Sequence, residues 1–130
     1  MITLKEVFLL QEREDLLFVA SELVKHYRLK SKVKFGTYGG DQGGYNWDTD
    51  TIMLNKYYPK VSEFIITVLH EIHHALQIKK YGRRKFMKKY QQASNMADLD
   101  GKDRYLANKW EKKAENWAQQ EYRKKWKNNF

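Results

Sequence analysis

The run from Val61 to Tyr81 constrains this chain more than any other stretch. Val61, Phe64, Ile65, Val68, Leu69, Ile72 and Leu76 recur at three- and four-residue spacing, the mark of one apolar helix stripe. His70, Glu71, His73 and His74 sit in the middle of the run. At 100° per residue, His70 and His74 project roughly opposite the stripe and share a face. Ile66, Ala75 and Ile78 fall outside the stripe, so the other face is not fully solvated either. The run therefore predicts a helix held between two layers.

The residues Leu16, Val19, Ala20, Leu23, Val24 and Tyr27 predict an earlier helix over Glu12–Leu29. His26, near its end, reads as a helix C-terminal cation or a surface residue. Val33, Phe35 and Thr37 alternate with polar positions and predict a half-buried strand over Lys32–Tyr38. Gly39 to Gly44 reads as a turn. Tyr45–Asn55 holds one or two short strands, with Asp48-Thr49-Asp50 as a turn and Thr51–Asn55 as the apolar piece. Pro59 suits a first helical turn. Gly82 ends the motif helix. A short helix over Arg83–Gln92, a polar connection over Ala93–Gly101, and a long terminal helix follow. The last starts at Asp100 or Asp103 and runs to about Lys127.

The spacing His70-Glu71-x-x-His74 is that of two imidazoles able to meet one metal ion, with a carboxylate beside the first. A catalytic zinc needs three protein ligands. The chain has no cysteine, and His26 is its one histidine outside the motif, so the third ligand is sought among carboxylates. Glu111 is the best placed. It lies on a stripe of Ala107, Trp110, Ala114, Trp117, Ala118 and Tyr122, where an unpaired charge would be costly. Glu115, at the edge of that face, is placed to accept a hydrogen bond from the distal nitrogen of His70 or His74. His73 points away from the pair and suits a flanking or substrate-side role. Glu71 is the expected general base, taking a proton from the attacking water and passing it to a leaving amine. His73, Tyr81 and Tyr105 are candidates to stabilise an oxyanion, and the strand Thr51–Asn55 is a candidate to pair with an extended substrate.

The motif together with Glu111-Lys112-Lys113-Ala114-Glu115-Asn116-Trp117-Ala118 resembles the ImmA/IrrE-type zinc metallopeptidases. That family pairs H-E-x-x-H with a downstream E-x-E-A-N-x-F-A stretch. The resemblance implies a minimal gluzincin of phage or bacterial type, with Glu111 as third ligand. The short strand ending in Asn55 fits it too. Lys113 and Glu115 depart from the family pattern. SprT-like proteases, which act on protein attached to DNA, are the second comparison. Their third histidine would fall at Tyr81, ahead of Gly82 and Phe86.

The net charge of +9 draws the surface towards anionic partners. Lys79–Tyr90 holds seven Lys or Arg and no acid, interleaved with Tyr81, Phe86 and Tyr90. With the C-terminal segment Tyr122–Lys127 it is a candidate nucleic-acid surface. No signal peptide and no membrane span are evident, so a cytoplasmic protein is expected. The expected fold is α+β and zincin-like, a single domain over 1–130. It has an N-terminal helix, about three strands, the motif helix and a long C-terminal helix. The expected activity is zinc-dependent hydrolysis of a peptide bond in a protein substrate. The alternatives are an SprT-like protease, or a nucleic-acid-associated binding protein whose metal site is structural or vestigial.

Overall fold

The structure is a computed structural model that describes residues 13–36 and 43–128. Its elements are α1 (Arg13–His26), β1 (Lys32–Gly36), β2 (Gly43–Asn46), β3 (Thr51–Asn55), α2 (Val61–Tyr81), α3 (Arg83–Leu99) and α4 (Lys109–Glu121), with a π-helical turn at Tyr122–Trp126. The architecture is α+β, as expected. Glu12, Thr37, Tyr38 and the turn segment 39–42 lie outside the described residues.

Two helix ends show how local chemistry sets boundaries. At the end of α1, Leu29 N donates to Val24 O and Arg28 N to Lys25 O, with Arg28 at φ 60. At the end of α3, Lys102 N donates to Ala97 O and Gly101 N to Asp98 O, with Gly101 at φ 71. Both are Schellman ends, in which one left-handed residue turns two amides back onto the last free carbonyls.

The sheet order is β1-β3-β2, with β1 parallel and β2 antiparallel to β3. The most apolar strand takes the centre: Ile52 and Leu54 of β3 are fully buried. Among the described residues β1 is an edge strand, and it exposes Lys32 and Lys34, which discourages pairing with another chain. Gly43 and Gly44, expected in a turn, are strand residues instead. A Cβ on Gly43 would sit 2.8 Å from Met53 O and 2.9 Å from the Thr67 methyl. Only glycine lets β2 lie that close to both β3 and α2.

α2 occupies the middle layer. Phe64, Ile65, Val68, Leu69 and Ile72 join Leu16, Val19, Ala20, Leu23 and Val24 of α1 and Ile52 and Leu54 of β3 in the main core. The opposite side of α2 runs along α4, its most extensive partner. Ala114 and Ala118 are fully buried there, and their size permits the close approach.

Three sequence expectations need correction. Pro59 precedes α2 rather than entering its first turn, since the N-cap is Lys60. The supposed polar connection over Ala93–Gly101 is mostly helix, because Ala93, Ser94 and Ala97 are buried and extend α3 to Leu99. The terminal helix starts at Lys109, not at Asp100 or Asp103. Asp103 does cap, but its carboxylate accepts from Tyr105 N and Leu106 N in a short turn. Asn108 caps α4 instead, accepting from Trp110 N at 2.8 Å. Its amide donates to Tyr90 O and Ser94 Oγ, tying the start of α4 to α3. Among the described residues no helix is long and apolar enough to cross a membrane.

Candidate metal centre

The motif residues face α4 from the middle turns of α2. His70, Glu71 and His74 are 8%, 5% and 4% exposed, and Glu111 on the first turn of α4 is 7% exposed. His70 Nε2 lies 2.9 Å from Glu111 Oε1, and His74 Nε2 lies 2.8 Å from the same oxygen. His70, Glu71 and His74 also offer ligand atoms within 4.8 Å of one another. The structure thus brings together the residues singled out from the sequence.

The outer ring nitrogens decide what the inner ones can be. Gln77 Nε2 donates to Trp110 O at 3.3 Å, which turns its Oε1 towards His74. That oxygen is 2.9 Å from His74 Nδ1, so Nδ1 carries the proton. His70 Nδ1 lies 2.9 Å from Glu115 Oε1, and the same reasoning applies. In the neutral rings both Nε2 atoms would then present lone pairs to an oxygen that can only accept. Three electron pairs meeting in a buried site require a cation between them, a proton or a metal. Two imidazoles in the Nε2-ligating tautomer with one carboxylate are a donor set suited to a divalent transition metal.

The electrostatics follow the same logic. Burial alone would lower the basicity of His70, but hydrogen bonds to Glu111 and Glu115 outweigh it and raise its pKa to about 10. Burial opposes the charge on Glu111, yet His70, His74 and Tyr90 together hold it well below the usual carboxylate range. Burial pushes Glu71 up, with the two histidines pulling part of the way back. A carboxylate displaced upward beside a ligand cluster is poised to take a proton.

Tyr90 of α3 was not singled out for the site from the sequence. Its hydroxyl donates to Glu111 Oε2 and so orients the carboxylate whose other oxygen faces both histidines. Burial and that carboxylate raise the Tyr90 pKa above its ordinary value. Gln77 was also missed, although its position three residues after His74 was a readable signal. Tyr90 had none, because α3 must fold back over α4 to bring it there.

The remaining candidates divide. Tyr105 lines the cleft above the cluster, with Gly43, Gly44, Trp47 and Leu106. Tyr81 instead packs on Phe86 and Trp110, in a small aromatic core below the site. The His73 ring centroid lies 4.9 Å from that of Trp117, half-buried, and its Nδ1 finds no hydrogen-bond partner among the described residues. His26 is exposed against Tyr27 and Trp126 and takes no part. The cleft has a volume of about 850 Å³ and opens to solvent. A groove of about 340 Å³ between α3 and the start of α4 carries no histidine or glutamate and lies outside the site.

Thr51–Asn55 cannot pair with a substrate as expected. It is the central strand, bonded to β1 and β2 on its two sides. The strand that lines the cleft is β2, and among the described residues its outer edge has no strand partner. Comparison with family models, with curated proteins and with solved structures returned no match.

Proposed function

We propose that this protein is a zinc-dependent peptidase, in which His70, His74 and Glu111 hold the ion and Glu71 is the general base. The observation that carries this reading is the convergence of His70 Nε2 and His74 Nε2 on one oxygen of Glu111, at 2.9 and 2.8 Å. A zinc ion held there would polarise a substrate carbonyl and acidify a water molecule. Glu71 takes the proton of the attacking water and delivers it to the leaving amine as the C–N bond breaks. An extended substrate lies along the outer edge of β2, adding a strand over the cleft. Tyr105, which lines the same cleft, is the candidate donor to the carbonyl oxygen.

An open cleft beside a buried carboxylate favours catalysis over a purely structural metal, which closes all four positions with protein ligands. At family level the proposal is an ImmA/IrrE-like peptidase. The departures at Lys113 and Glu115 are compatible with it. Lys113 lies over the Trp110 ring, and Glu115 supports His70. A cysteine-free chain fits the reducing cytoplasm as its place of action.

The test is metal analysis combined with hydrolysis of labelled casein. The purified protein should carry about one zinc per chain. Glu71→Gln should retain the metal and lose activity by roughly 10²–10⁴-fold. A Glu71→Gln protein as active as the parent would sink the assignment.

A further inference from the structure

The basic stretch Lys79–Tyr90 is not absorbed by the peptidase reading, and the structure changes what it can be. Its aromatic residues are unavailable for stacking on bases. Phe86 is fully buried, Tyr81 packs on Phe86 and Trp110, and Tyr90 holds Glu111. Four of its cations are engaged. Lys79 donates to Arg28 O, Arg83 pairs with Asp48, and Lys80 and Lys89 lie over Tyr81. Arg84, Lys85 and Lys88 are exposed, and each lacks an ion pair or hydrogen bond among the described residues.

Arg84 and Lys88 belong to one stripe, and Lys85 projects from its flank. At 100° per residue, Arg84, Lys88, Gln91 and Asn95 fall within an arc of roughly 60° on α3. Phe86, Tyr90, Ala93 and Ala97 occupy the opposite, inward arc. The stripe runs for roughly 17 Å along the helix. From Arg84 to Asn95 it carries no carboxylate. Gln91 Nε2 donates to Asn95 Oδ1, and Arg104, itself ion-paired with Asp98, donates to the same oxygen at the far end.

We propose that the outer face of α3 binds double-stranded DNA. The unpaired cations Arg84 and Lys88, with Lys85 beside them, complement a phosphate backbone, and the amides further along the stripe suit the polar edges of a groove. The inward aromatics argue against a single-stranded ligand, which is gripped by stacking. The main apolar face of α3, with Phe86, Ala93 and Ala97, is buried in the protein, and the exposed Met87, Met96 and Leu99 are too scattered to form a lipid-facing stripe. An exposed helix fits the wide major groove of B-form DNA but not the deep, narrow groove of an RNA duplex. Tyr90 faces the cleft from the other side of α3, so a bound duplex leaves the cleft open.

The test is fluorescence anisotropy of the full chain with a labelled mixed-sequence DNA duplex. Three phosphate contacts predict a roughly forty-fold loss of affinity between about 50 and 200 mM salt. The triple variant R84E/K85E/K88E should bind at least tenfold more weakly. The gentler R84Q/K85Q/K88Q should show a smaller loss, and circular dichroism should match the parent for both. Reversal of the C-terminal pair, R123E/K124E, should keep most of the affinity. Glu71→Gln should bind like the parent, so this outcome is separate from that of the peptidase assignment. The proposal is overturned by any of four results. These are no duplex binding at low salt, equal losses in both reversed variants, equal affinity for an RNA duplex, or equal affinity for phosphatidylserine vesicles.

Discussion

Three histidines stand within five residues on α2, and they meet opposite environments. His70 and His74 turn towards α4, where Glu111 and Glu115 hold His70 in its charged form up to about 10. His73, one residue from His74, turns to the Trp117 ring, and burial pushes its pKa down to about 4. Composition is the same on both sides, so direction on the helix decides. A rotation of 100° exchanges carboxylate partners for an indole. The lesson is that a cluster of like residues in sequence is not a cluster of like groups in space.

Removing the partner that distinguishes the two sides should have the largest effect. Glu111→Ala should abolish zinc retention, a loss beyond the ~10–100-fold typical of supporting groups. Metal content after dialysis measures it, and a Glu111→Ala protein that keeps its zinc would break the contrast. Glu115→Ala takes away only the support at His70 Nδ1 and should keep the metal with affinity lowered ~10–100-fold. The opposite ranking of these two variants would transfer the ligand role to Glu115.

Tyr90→Phe sharpens the comparison from the far side of Glu111. It frees Oε2 without touching a histidine, and a loss of metal affinity within the same ~10–100-fold range is expected by competition with a chromogenic chelator. An unchanged affinity would mean that Glu111 needs no help to point inward.

The smallest effect concerns His73. Its folded pKa of about 4 is below the ordinary value of 6.5, so the folded protein binds fewer protons than the unfolded chain between these values. Its contribution to stability is intact above about 6.5 and is lost as the pH falls through about 4. His73→Phe should flatten the melting temperature over that window. A wild-type and variant pair with parallel profiles would show that His73 is not the group that titrates.

Much of this arrangement was legible in the residues. The apolar period of α2, the opposed histidines and the glutamate on an alanine stripe each follow from spacing alone. The extent of α3 was not legible, because Ala93, Ser94 and Ala97 are small and weakly apolar, and only burial reveals them as a packing face. The start of α4 was hidden among Asp100, Asp103 and Asn108, all capping residues. Asn108 prevails because its amide also reaches Tyr90 O and Ser94 Oγ, a contact made across the fold. Strand order was equally hidden, since β1 and β3 pair in parallel around an intervening β2.

Local rules thus determined the central parts of the helices and strands and which way each motif residue points, because helix periodicity acts over a few neighbouring residues, while several element ends were left to the tertiary structure. The tertiary structure alone decided what each of those residues meets. Tyr90, Gln77 and Glu115 acquire their parts at the site only when α3 and α4 dock on α2. The fate of the basic stretch was decided in the same way. Burial turned its aromatics inward, Tyr90 to the site and Tyr81 and Phe86 to the small aromatic core, and left Arg84, Lys85 and Lys88 facing outward.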